Sequence, residues 1–246
     1  MTQESPNYTF SMVFPWLAVT WAVSLLLWPR PGVTKATRAS SVLSRRIWLP
    51  IATLVLSLLP LRGLALVRWV VGCNANFSIL LTVWVGLSLL ERLLGRRLLG
   101  TSEAIGCWGF GLTVGLLLYP MALGLTAFDP YSLGWQPRWL LTVILILTFA
   151  LLAAGNRFAI WIMAALLAYN LRMLESPNFW DYLVDPVYFI ASLVIAIMLT
   201  AEQLRVWLGR GPSPSAVLAA RNETARLEGV GQKDGGTSWR LLASAR

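Results

Sequence analysis

The chain has 246 residues, of which 57% are apolar and 13% charged, with a formal net charge of +9 and a mean hydropathy of +0.66. That composition is too apolar for an ordinary water-soluble domain and points to a bilayer as the solvent. With no His at all, His-based metal sites, His general bases and Ser–His or Cys–His nucleophile pairs are excluded.

The charges fall in clusters separated by long uncharged runs. A helix crossing a hydrocarbon core of about 30 Å needs roughly 20 residues. The runs therefore predict an all-α integral membrane protein, a bundle of about seven transmembrane helices. In chain order the spans lie at about 10–28, 47–62, 76–92, 104–125, 139–156, 158–173 and 186–205. Met1 to Thr9 carry Glu4 and no Lys or Arg, the reverse of a basic signal-peptide start, so Phe10–Trp28 is expected to remain as the first span. The second, sixth and seventh runs are short. Arg62, Arg172, Glu202 and Arg205 are expected to extend those helices by placing charged heads in the interfacial layer.

In the fourth span Gly111 and Gly115 form a Gly-xxx-Gly pair that permits close helix–helix approach, read first as internal packing and second as a subunit contact. From about Gly209 the composition turns to Gly, Pro, Ser and mixed charge. The chain thus divides into a transmembrane domain, 1–208, and a flexible basic cytoplasmic tail, 209–246, in which Ala216–Leu227 has the composition of a short helix.

Summing Lys and Arg over alternate loops puts sixteen of the twenty on one side. The other side holds Arg62, Arg68, Arg138 and Arg172. By the positive-inside rule the N-terminus is outside and the C-terminus cytoplasmic. The basic excess is then topology plus attraction to anionic headgroups, with membrane lipids as partners and no nucleic acid. Cys73 falls on the outer side and Cys107 near the inner end of a span, too far apart for a disulfide. Trp28, Trp48, Trp69, Trp135, Trp139, Trp180 and Trp207 lie near span ends, where indoles anchor at the headgroup layer.

The spans hold almost no ionisable groups, which disfavours ion-coupled transport. Polar residues gather instead in the three outer loops. Asp129-Pro130 reads as the start of a single helical turn ending at Gly134, Ser176-Pro177 as the start of a short interfacial helix, and Asp185-Pro186 as the N-cap and first residue of the seventh span. Arg–acid pairs at this face are expected to pin the loops. The functional alternative is an outward-facing ligand-binding pocket lined by Arg62, Arg68, Asp129, Asp181 and Asp185, holding a lipid headgroup, a polyprenyl-linked sugar or a divalent cation. No metal-ligand spacing and no cofactor motif is present, so neither a metal nor a cofactor is expected.

Arg68 with Gly72 and Ser78, then Phe128-Asp129-Pro130-Tyr131, then Asn178-Phe179-Trp180-Asp181-Tyr182 and Asp185-Pro186, together resemble a group of uncharacterised polytopic inner-membrane proteins of Gram-negative bacteria. The resemblance covers roughly residues 45 to 200 and departs at Asn76, where that group often has an acid. It implies the bacterial inner membrane and a multi-pass fold, and brings no activity with it. The expectation is a non-catalytic or accessory protein of cell-envelope assembly that binds a partner protein or a lipid-linked substrate at its outer face. The alternatives are a small transporter or flippase subunit for a neutral or lipidic substrate, and an outer-leaflet enzyme using Asp129, Asp181 and Asp185.

Overall fold

A computed structural model describes residues 8–28, 46–125 and 128–209. The expected tail beyond Gly209, with Ala216–Leu227, lies outside the described residues. The chain forms two compact units, Met1–Ala196 and Ile197–Arg246. The second is represented by the C-terminal half of one helix, whose residues Ile197 to Leu208 are all exposed.

The chain is mostly helical. One turn, α1 (Tyr8–Ser11), leads into α2 (Val13–Leu27). Then follow α3 (Trp48–Leu58), a two-stranded hairpin of β1 (Pro60–Leu61) and β2 (Leu64–Ala65), and α4 (Leu66–Cys73). Next come α5 (Ile79–Leu94), α6 (Thr101–Ala122) and a 3-10 turn, Pro130–Gly134. The chain continues with α7 (Arg138–Ala153), α8 (Phe158–Asn170), the short α9 (Phe179–Leu183) and α10 (Pro186–Gly209). Two segments, Thr101–Ala122 and Pro186–Leu208, are long and apolar enough to cross a membrane. Val13–Leu27, Trp48–Leu58, Arg138–Ala153 and Phe158–Asn170 are shorter apolar helices.

Two expected helix extensions are absent. At 1.5 Å per residue the eleven-residue α3 reaches only about 16 Å. Pro60 lacks the amide that would continue it, and Arg62, expected to lengthen the helix, sits in the hairpin turn at φ 51°. Arg172 likewise lies beyond the end of α8 at φ 49°, where a left-handed residue terminates the helix. Glu202 and Arg205 do lie within α10.

The helices turn apolar residues both inward and outward. On α7 the inward stripe is Leu140, Ile144 and Thr148, at helical spacing, while Val143, Ile146 and Phe149 on the opposite side are each at least 60% exposed. Ile160, Met163 and Leu167 repeat the pattern on α8. An exterior this apolar across successive helices suggests a membrane setting.

Polar side chains are instead used between helices. The Thr20 and Thr53 hydroxyls, both buried, share a 2.7 Å hydrogen bond that joins α2 to α3, and Trp16 Nε1 donates to the Pro50 carbonyl at 3.1 Å. Trp21, Trp84, Trp108 and Tyr188 form a run of ring contacts with centroids 4.8 to 5.9 Å apart. The Tyr188 hydroxyl donates to the Cys107 carbonyl and lies 3.2 Å from the buried Cys107 Sγ. Gly111 and Gly115 admit α10: a Cβ on Gly111 would stand 2.4 Å from Ser192 Oγ, and one on Gly115 only 2.1 Å from a Phe189 ring carbon.

Candidate functional site

Three loops meet at one end of the first unit and are fastened to one another by hydrogen bonds. In the first, the Asn74 side chain accepts from the Asn76 amide at 3.1 Å, and Asn76 Oδ1 then accepts from the Ser176 amide at 3.2 Å, across 100 residues of sequence. Phe77 stacks on Phe14 with centroids 4.1 Å apart, which fixes the approach to α5.

In the second loop Asp129 Oδ1 accepts from the Tyr131 amide at 2.9 Å and starts the 3-10 turn, with Pro130 at the first helical position. In the third, α9 is capped by Asn178, whose Oδ1 accepts from the Trp180 amide at 3.0 Å. The expected cap, Ser176, lies two residues upstream, and its hydroxyl accepts from the Asn178 amide at 3.1 Å.

The second and third loops clasp each other directly. Asn178 Nδ2 donates to the Tyr131 carbonyl at 3.1 Å, and Trp180 Nε1 donates to the Pro130 carbonyl at 2.9 Å. The Tyr131 hydroxyl reaches both Asp181 oxygens, at 3.0 and 3.2 Å. Gly134 is buried against this clasp, and a Cβ there would fall 1.8 Å from Asn178 Oδ1.

Asp185 is 2% exposed and ties the first loop to the third. Its Oδ2 accepts from the Ser78 amide at 2.7 Å, while Oδ1 accepts from Val187 and Tyr188 at 2.8 and 3.1 Å. It therefore caps α10 and, with the same carboxyl, satisfies the amide at the head of α5. Burial raises its pKa, against the pull of those amide bonds. Asp181 is also raised, chiefly by burial and further by the nearby Asp185, with the Ser176 and Tyr131 hydroxyls opposing. The Tyr131 phenol is pushed up by its own burial and then by Asp181.

Of the five residues expected to line a pocket, the structure draws Asp129 and Asp181 together through Tyr131 and sets Asp185 in the interior. Arg62 and Arg68 are exposed on the hairpin and α4, and neither makes an ion pair with a carboxylate among the described residues. The expected Arg–acid pairs are thus replaced by bonds from acids to backbone amides and a phenol. A solvated guanidinium gains little from an exposed carboxylate, whereas a buried amide without a partner is costly.

Tyr131, Asn178, Trp180 and Gly134 complete the clasp and were not among the expected site residues. Asn178 alone had a local signal, as an Asn directly before a Phe-Trp-Asp-Tyr-Leu helical turn. Among the described residues no three His, Cys, Asp or Glu side chains gather to hold a metal.

The opposite helix ends are also tied. Glu91 Oε1 accepts from the Leu98 and Leu99 amides, each at 2.6 Å, and Arg157 Nε bonds Glu103 Oε1 at 2.6 Å. Arg92 Nη1 donates to the Trp28 carbonyl at 3.0 Å, and the Arg46 guanidinium lies 5.0 Å over the Trp28 ring. The chain matches no family model, and the comparisons found no matching curated protein and no matching solved structure.

Proposed function

We propose that the chain is a multi-pass protein of the bacterial inner membrane, with about seven spans, N-terminus outside and C-terminus cytoplasmic. In this reading it serves as a non-catalytic accessory of cell-envelope assembly, and its clasped loops face outward as a platform for a partner protein or a lipid-linked substrate. The apolar exterior supports the membrane setting, and the distribution of Lys and Arg supports the orientation.

The observation that carries the accessory role is how the loop acids are used. Both Asp185 oxygens are occupied by three backbone amides, and Asp181 is held by Tyr131. A nucleophile or metal ligand needs a free lone pair facing the reactant, and Asp185 is 2% exposed with three of its lone-pair sites taken by its own backbone. What the clasp offers is a fixed shape, with Ser132, Leu133 and Trp135 exposed on it.

A photo-crosslinking residue at Leu133, activated in intact cells, tests this directly. One discrete protein or lipid adduct, lost in Gly134→Leu but retained in Asp181→Asn, is the expected result. Turnover or flipping of a lipid by the purified, reconstituted chain alone would overturn the accessory role. Loss of cellular function in Asp181→Asn at normal abundance would favour catalysis.

A further inference from the structure

The hairpin and α4 form an element that the loop clasp does not use. Its turn is Arg62–Gly63, both left-handed, at φ 51° and 84°. Hairpin turns of this hand favour Asn, Asp or Gly at the first position, so Arg62 holds a conformation its side chain does nothing to favour. Such an outlier is a reason to look for a task.

The next helix is fixed against this hairpin, because Trp69 Nε1 donates to the Leu61 carbonyl at 3.2 Å. Val67 is buried beneath it, which turns Arg68, Trp69 and Val70 outward. Leu61 and Leu64, flanking the turn, are 51% and 44% exposed. One short segment, its backbone held by its own hydrogen bonds, thus exposes Arg62, Arg68 and Trp69 together with Leu61, Leu64 and Val70. Water favours the cations there and not the leucines; the boundary between headgroups and acyl chains favours both.

We propose that Arg62 and Arg68 bind the phosphate of an anionic phospholipid headgroup at the outer leaflet, with Leu61, Leu64 and Trp69 seated in the acyl boundary beside it. The site rests on the outward placement of this hairpin proposed above. Charge complementarity argues for an anion, since no carboxylate pairs with either arginine among the described residues. A guanidinium also matches phosphate oxygens through two parallel N–H donors. The flanking apolar side chains argue for a lipid over a free ion, which would leave them in water.

The test uses the full chain in mild detergent mixed with phosphatidylglycerol and phosphatidylcholine, with lipid retained per protein read by native mass spectrometry. Arg62→Asn suits the left-handed turn better than Arg, so it separates loss of binding from loss of fold. Arg68→Gln probes the helix, and Arg96→Gln with Arg97→Gln, at the other helix ends, controls for general basicity.

Preferential retention of phosphatidylglycerol should fall about five-fold for each of Arg62→Asn and Arg68→Gln, as expected for one surface cation on an anionic lipid. It should be unchanged in the control and indifferent to inorganic phosphate. Equal retention of the two lipids, an equal fall in the control, or displacement by inorganic phosphate alone would overturn the proposal. If, with Cys73 changed to Ser, an impermeant thiol reagent fails to label Ser132→Cys in intact cells while retention still depends on Arg62, the outward placement fails and the anion site belongs to the inner leaflet.

Discussion

Asp185 fastens two helices with one carboxyl, which accepts from amides at both of their N-terminal ends, Ser78 being 107 residues away. Asp185→Ala leaves three backbone amides, at Ser78, Val187 and Tyr188, without their acceptor. It should cost about 1–3 kcal/mol, read as a lower unfolding midpoint in detergent, with Asp185→Asn intermediate because one oxygen remains. An unchanged midpoint in the alanine variant would mean that water replaces the carboxyl freely.

Asp181 makes a different prediction, since burial raises its pKa in the folded protein. The folded chain then binds that proton more tightly than the unfolded chain does. Its favourable contribution is fully present below the ordinary carboxylate pKa of about 4, and is lost as pH rises through the raised folded value. Asp185 contributes with the same sign. Unfolding midpoints should therefore decline as pH rises from about 4, and Asp181→Asn should flatten that decline. An identical slope in wild type and Asp181→Asn would assign the effect elsewhere.

At the scale of elements, the packing of α6 on α10 depends on which glycines face it. Gly115 has no room for a methyl group beside Phe189, whereas nothing lies within 4 Å of the position a Cβ would take on Gly109. Gly115→Ala should destabilise by about 1–3 kcal/mol through overpacking. Gly109→Ala should be neutral or stabilising by up to about 1 kcal/mol, because alanine favours the helix. Equal effects in the two variants, compared by thermal unfolding, would show that α10 does not pack here as described.

Elements were legible in the sequence where their cause is local. A helix overlaps each of the seven expected spans, and Asp129-Pro130 and Asp185-Pro186 start their turns because a cap acts within four residues. The short α4 was not legible, since two helical turns give its inward Val67 too little periodicity to separate it from a loop. Nor was the end of α3, where an apolar run continues past Pro60 into a hairpin. The clasp was hidden for another reason: the Tyr131–Asp181 and Asn178–Tyr131 bonds join residues 50 and 47 apart, and no short pattern encodes such a pairing.

Across the described residues as a whole, many large apolar side chains are exposed while buried groups such as Thr20, Thr53 and Asp185 bond internally, a distribution suited to surroundings that cannot accept hydrogen bonds. The orientation proposed from the basic residues has a direct check. With Cys73 changed to Ser, Ser132→Cys should react with an impermeant thiol reagent in intact cells, and Arg97→Cys only after permeabilisation. The reverse pattern would invert the topology and carry the clasped loops to the cytoplasm.

The bond from Asp185 to Ser78 also bears on biosynthesis. The ribosome makes the head of α5 more than a hundred residues before its acceptor exists, so that amide stays uncommitted while α6, α7, α8 and α9 are synthesised. A nascent chain interrupted before Asp185 would carry the Ser78 amide without its acceptor, so the first loop is fastened to the third only after the start of α10 has been made.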